Sequence, residues 1–394
     1  MTEQPPSPTR ASAALVALVG LTGLASAMGV GRFAFTPLLP LMQQAGQMTL
    51  AQGGWLAVAN YLGYLAGALA CTAAALSPGR LARSGLLWVA LLTLGMGWAG
   101  SWWQWLLLRF GAGVASACVL VGISAWSLPR LQQRPAVAGV VYSGVGIGIF
   151  AAGIVALAAA ASGRGPDDAW VLLGVCSALI AAGGWRLLGR GDGQGIERGT
   201  CLAPIGREGW RLIVAYAAFG FGYIIPATFL PALARQLAPD PALFGWTWPI
   251  FGIAGAASTL IVSRLASRMS PRRLWVLAQG VMGIGVMAPA LHESLPVLMF
   301  SALCVGGTLI VATMAALQEG RRVAGPAGAP RLMGALTAAF AVGQLAGPFT
   351  VTLARDAGLA VPSIVAASVL WLGLLALRGP ESSLSVDIKR GERP

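Results

Sequence analysis

Apolar residues along this chain come in long continuous runs separated by short, arginine-bearing turns, rather than in the amphipathic stripes of a soluble helix. A helix of roughly 20 apolar residues spans the ~30 Å hydrocarbon core of a bilayer. A membrane β-barrel would show alternating segments of about ten residues instead. Twelve runs are predicted as spans. The first six cover about 11–43, 50–76, 85–102, 104–128, 136–161 and 169–188. The second six cover about 210–235, 242–264, 273–291, 295–318, 332–354 and 361–378. Between the sets lies GRGDGQGIERGTCLAPIGRE, polar and glycine-rich, which reads as a flexible linker. The pattern predicts an all-α membrane protein with twelve transmembrane helices in two six-helix bundles. Residues 1–188 form one bundle and 210–394 the other, with a terminal tail. The linker is 189–209.

The halves resemble each other at an offset of 191 residues: Gly29, Gly31 and Pro40 fall on Gly220, Gly222 and Pro231, and Gly54-Trp55 falls on Gly245-Trp246. Six spans per half give both copies the same orientation, so the predicted pseudo-two-fold axis runs along the membrane normal, as in two-bundle transporters. Basic residues set the orientation. Only Arg164, Arg235 and Arg355 fall on one side, Arg32 and Arg109 lie inside spans, and the other arginines and lysines share the opposite side. Both termini and the linker are therefore expected in the cytoplasm, with the chain in the inner membrane of a bacterium.

Composition agrees: 57% of residues are hydrophobic and 10% charged, against about 25% charged in a soluble protein. The net charge of +13 sits in the turns between runs, so orientation explains it better than nucleic-acid binding. Cys71, Cys118, Cys176, Cys201 and Cys304 are scattered without a CxxC pair, which supports neither a disulfide framework nor a zinc site. The N-terminus, MTEQPPSPTRAS, reads as a short polar tail and not a signal peptide.

Residues that break the apolar pattern carry the chemistry. Arg32 lies in GVGRFAFTPLLP, inside the first run. An arginine at mid-membrane costs roughly 2.5–3.5 kcal/mol on insertion scales, so it is expected to face a cavity or a partner. All thirteen acids map to loops, tails or span ends, including Glu208 and Glu319, so no carboxylate is expected near mid-membrane to serve a proton relay. Two buried cations without buried anions favour an anionic substrate, which a guanidinium can grip bidentately. Pairs of glycines four apart (Gly63 and Gly67, Gly144 and Gly148, Gly343 and Gly347) read as close-packing positions, with helix sliding as the sharper alternative. Trp246 and Trp248 read as interfacial anchors, and His292 as a solvated loop residue.

Several stretches together resemble the major facilitator superfamily over essentially the whole chain. They are the short basic turns LSPGRLARSGLLW and SRLASRMSPRRLWVL, RFGAGVASA with Arg109 and Gly113, YSGVGIGIFAAG, and AVGQLAGPF. GVGRFAFTPLLP, ANYLGYLAG and GFGYIIPATFLP are similar to a bacterial branch of it. The first basic turn departs from the family's signature, having no acid between Pro78 and Gly85, and the fifth span lacks a Gly-Pro pair. The resemblance implies the major facilitator fold, with spans 1, 2, 4 and 5 and their counterparts 7, 8, 10 and 11 lining a central cavity. The polar residues on those spans are the candidate substrate-binding set: Arg32, Asn60, Tyr64, Arg109, Tyr142, Tyr223, Thr228 and Gln344. Arg32 has readings as a substrate contact, a structural hydrogen-bond donor or a gate, and for Arg109 the resemblance favours structure or gating. Tyr223 takes the place of Arg32 in the second half.

The implied function is a secondary transporter of a small molecule, expected to be an organic anion, working by alternating access with no cofactor or metal. The chain is expected to act as a monomer in the lipid bilayer, alone or with a coupling proton or exchanged solute, and without nucleic acid. The alternative is an efflux pump for amphipathic compounds with an aromatic pocket of Tyr64, Tyr223, Phe33, Phe35 and Trp246. An intramembrane enzyme is disfavoured, since no histidine or metal-ligand set lies at membrane depth.

Overall fold

The computed structural model describes residues 10–73, 77–131, 135–189, 205–238, 240–265, 269–353 and 360–378, and they are helical almost throughout. The linker residues 190–204 and the tail from 379 onward lie outside the described residues, as does the start of the N-terminal tail. The first half contains α1 (Arg10–Leu24), α2 (Phe35–Gln44), α3 (Leu50–Ala73), α4 (Pro78–Trp98), α5 (Trp102–Ser127), α6 (Pro135–Ala161) and α7 (Pro166–Leu188). The second contains α8 (Arg207–Leu237), the short α9 (Pro241–Phe244), α10 (Thr247–Leu265), α11 (Pro271–Leu291), α12 (Leu295–Leu353) and α13 (Ala360–Ala376).

Among the described residues, nine helices are long and apolar enough to cross a membrane, and α13 is a shorter apolar helix. This is a multi-pass, all-α membrane protein. The expected count of twelve spans is met in part: α10, the portion of α12 after Gly325 and the short α13 are not among the nine. The predicted tenth and eleventh spans lie in one 59-residue helix interrupted at Gly325, whose φ of 64° only glycine adopts readily. Large apolar side chains point outward, among them Leu107 (73% exposed) and Leu179 (68% exposed). Water would not tolerate such a surface, and lipid does. Trp98 and Trp103 flank the α4–α5 turn, also exposed, where an aromatic belt meets the bilayer interface.

The first span is not the single helix its hydrophobic run predicts. After α1 the backbone widens into a π-helical segment, Ala25–Arg32, and passes through a turn at Phe33 and Ala34, whose N–H groups still reach Met28 O and Val30 O at 3.2 Å, before α2 begins. Pro37 explains where the break falls. It has no N–H to donate to the carbonyl four residues back, a loss that the first turn of a helix, where Pro37 stands in α2, tolerates best. Every residue of the π segment is buried. Gly29 presses directly on α6, where a Cβ would stand 2.3 Å from Gly148 Cα.

Helices α1 to α7 pack chiefly on one another, as do α8 to α13. Contacts between the two sets run through α6 with α10, α3 with α12, and α2 with α8. The α6–α10 seam is backbone against backbone: a Cβ on Gly146 would meet Ala256 N at 2.3 Å, and one on Gly252 would meet Phe150 N at 2.3 Å. One sequence expectation changes here. Trp248 is no interfacial anchor but fully buried, stacked on Phe251 at 4.7 Å and tilted against Phe33 at 6.5 Å. Cys71 and Cys118, distant in sequence, bring their sulfurs to 3.6 Å because α3 and α5 are in close contact.

Candidate functional site

The break in the first span determines the site. Past the π segment, the carbonyls of Gly31 and Arg32 lose their usual backbone N–H donors and need others. Arg109, on α5 and 2% exposed, supplies both: Nη1 donates to Gly31 O at 3.1 Å and Nη2 to Arg32 O at 3.0 Å. Its guanidinium also lies 5.0 Å from the Phe35 ring centroid. Asn60 on α3 donates to the Arg109 carbonyl at 2.9 Å. One turn away Ser116 donates to Ala27 O at 2.8 Å. Arg109 and Ser116 therefore clasp a distorted backbone, and Asn60 ties α3 to α5 beside it.

Arg32 is clasped by its backbone only. Its side chain, 3% exposed, turns toward rings: the guanidinium carbon lies 4.0 Å from the Tyr64 centroid, 5.3 Å from Phe33 and 5.8 Å from Tyr61. Nη2 donates to the Tyr223 hydroxyl at 3.4 Å, while Nε, fully buried, has no acceptor. Gln344 Nε2 also donates to the Tyr223 hydroxyl, leaving that group's own proton without a partner among the described contacts. Among the described residues no carboxylate pairs with Arg32. The cluster holds more donors than acceptors around one buried positive charge.

Six of the eight candidate residues thus come together: Arg32, Tyr64, Tyr223 and Gln344 directly, Asn60 and Arg109 through the backbone. Thr228 joins at the edge, bonded to Tyr61 at 2.7 Å. Tyr142 stands apart, donating to Ser124 Oγ at 3.0 Å. Trp246 is 45% exposed in the turn before α10 and lines no pocket with the other rings. Tyr61 is a neighbour the sequence reading missed. It lies three residues before Tyr64, a spacing that puts both on one helix face and was the available signal. Behind Tyr223 stands a buried aromatic stack: Phe340 at 5.3 Å, Phe219 at 5.5 Å, and Tyr216 beyond them.

A second charged cluster lies where α8 and α11 start. Arg272, 4% exposed, pairs with Glu208 and, at 2.9 Å, with Glu319, which Arg322 also grips at 2.8 Å. Glu319 is fully buried, not solvated as a loop or span-end acid would be. Its two arginines make that burial tolerable. Among the described residues no group of histidine, cysteine and acids is placed to hold a metal ion.

Membrane-crossing helices in two packed sets, with a buried polar cluster where the sets meet, define a membrane transporter of the major facilitator type. The model of the family described as "Uncharacterised MFS-type transporter YbfB" matches residues 24–378, and the chain belongs to that family. Its fold is similar to that in the crystal structure of the human organic anion transporter MFSD10 (TETRAN). The TM-score is 0.67 at 16% identity, covering 95% of this chain and 100% of that one. No curated protein matches the sequence. The chain is a secondary transporter that moves a small molecule across a lipid bilayer by alternating access, and it belongs to no catalytic family.

Proposed function

We propose that the substrate is a small organic anion, taken at Arg32 between two six-helix bundles, residues 1–188 and 210–394. The observation that carries this reading is the buried Arg32 guanidinium, which has an unpartnered Nε and meets no carboxylate. A buried charge without a counter-charge is costly unless something supplies one, and an anionic substrate does so. Tyr64, Tyr223 and Gln344 complete the binding site, Arg109 holds its backbone, Asn60 holds Arg109, Thr228 sits at its edge, and Tyr142, bonded to Ser124, remains a further candidate. The structural neighbour is named an organic anion transporter, which is consistent with this reading.

The arginine asymmetry between the two sides supports both termini in the cytoplasm and a place in the inner membrane of a bacterium. The 191-residue repeat supports a pseudo-two-fold axis along the membrane normal, and hence rocking of the bundles about the site. The alternative of amphipathic efflux draws on the rings around Arg32, but the same positive charge repels the cationic compounds such a pump would carry.

The test is thermal stabilisation of the detergent-purified protein by organic anions, neutral sugars and amphipathic cations, since a bound ligand stabilises the folded state by mass action. Arg32→Ala should abolish stabilisation by anions while the protein still elutes as a folded species, and Arg32→Lys should restore it poorly. Equal anion response in Arg32→Ala would make Arg32 structural. Stabilisation by hydrophobic cations alone would favour the efflux reading.

A further inference from the structure

Resting on the anion reading above, we propose that the substrate is a monoanion whose single charged group is joined to an apolar, ring-bearing body. Charge sets the valence. Two guanidinium groups are buried at the site, but both assigned bonds of Arg109 go to main-chain carbonyls at the broken first span. Drawing Arg109 onto a ligand would orphan those carbonyls. Arg32 remains, and it offers one charge.

Several hydroxyls around the site are already engaged. Thr36 donates to Ala227 O at 2.8 Å, Tyr61 and Thr228 bond each other at 2.7 Å, and Ser116 donates to Ala27 O at 2.8 Å and Ala112 O at 2.7 Å. The buried polar atoms left open besides Arg32 Nε include Arg109 Nε, Asn60 Oδ1 and Gln344 Oε1. The last two are acceptors, and acceptors repel a carboxylate. The second charge of a dicarboxylate or a phosphate ester would be buried without a partner, which costs several kcal/mol in a protein interior.

Rings set the body. Tyr64 covers one side of the guanidinium at 4.0 Å, with Phe33 and Tyr61 nearby, and Tyr223 leads into the Phe340, Phe219 and Tyr216 stack. A planar ring beside the gripped carboxylate meets faces and edges that favour offset or edge-on aromatic contact.

The experiment titrates the purified full-length protein with benzoate, its neutral isostere benzamide, the aliphatic monoanion hexanoate, the aromatic dianion phthalate, succinate and glycerol phosphate, following thermal stability. Benzoate is expected to bind about tenfold or more tightly than phthalate and succinate, a difference of about 1.4 kcal/mol, with benzamide inert. Tyr64→Leu keeps the cation and removes the ring. It should weaken benzoate several-fold more than it weakens hexanoate, and it gives a reading even if Arg32 variants do not fold. Phthalate, succinate or glycerol phosphate matching benzoate would overturn the monoanion inference and leave the anion reading standing. Benzoate unaffected by Tyr64→Leu would overturn the ring-bearing body. Stabilisation by none of the anions would overturn the anion reading itself, and this inference with it.

Discussion

At the scale of single residues, two arginines of the same type and burial do different work because their surroundings differ. Arg109 faces freed carbonyls and Arg32 faces rings. Arg109→Gln should therefore destabilise strongly. It leaves two buried carbonyls short of donors, at roughly 1–3 kcal/mol each, and lowers the midpoint of thermal unfolding in detergent. Arg109→Lys should fall between, since an ammonium lacks the planar fork that reaches two acceptors at once. An unchanged midpoint in Arg109→Gln would remove the backbone clasp from the account. Both arginines were legible in the sequence, because a cation kept inside an apolar run stands out by its cost. Their division of labour was not. It depends on which carbonyls a helix break frees, and the pattern of apolar residues across 11–43 runs through that break without a mark. Pro37 was visible, but its position in the first turn of a new helix follows only from the tertiary path. Tyr61 was missed because a tyrosine in a span reads as ordinary packing until its ring is found against a guanidinium.

At the scale of helices, the glycine pairs four apart were legible as contact positions, and the geometry bears the packing reading out. A Cβ on Gly63 would stand 1.9 Å from Phe110 O, one on Gly148 2.2 Å from Ala25 O, and one on Gly343 2.2 Å from Ala217 O. Less legible was Glu319. It follows an apolar run and precedes two arginines, so it reads as a span-end acid, yet α8, α11 and α12 converge on it. Arg272 ties the starts of α8 and α11 to α12 through Glu208 and Glu319. At the 191-residue offset the first half carries Ala17 and Leu128 where Glu208 and Glu319 stand. Glu319→Gln should cost about 3–5 kcal/mol, the typical effect of removing one partner from a buried ion pair. The midpoint of thermal unfolding should fall, and raising the salt concentration should not offset the loss, because the pair is shielded from solvent. A variant as stable as the parent would show that solvent reaches the cluster and screens it.

At the scale of the whole molecule, the two halves are tied together at the end where α2 and α8 finish. Thr36 donates to Ala227 O at 2.8 Å, Tyr61 and Thr228 share a bond of 2.7 Å, Arg235 donates to Pro40 O at 2.8 Å, and Arg32 reaches Tyr223 at 3.4 Å. Arg32 with Tyr223, and Thr36 with Ala227, are each 191 residues apart. Positions equivalent under the sequence repeat thus meet face to face, as they do beside an axis that relates two halves. Alternating access requires these ties to open, and one of them ends on the group that an anion would claim. An anion at Arg32 competes with the Tyr223 hydroxyl, so binding loosens a tie between halves; only such differential interaction can shift a conformational equilibrium. The prediction uses Thr36→Cys with Ala227→Cys, in a chain whose five native cysteines are replaced by serine. A short thiol cross-linker should join the pair efficiently in the resting protein. The yield should fall as benzoate saturates the site, and it should fall without ligand in Tyr223→Phe, which removes the hydroxyl that Arg32 holds. Thermal stabilisation by benzoate with no change in cross-linking would show that binding leaves this end closed, and the coupling would then have to run through the α6–α10 seam instead.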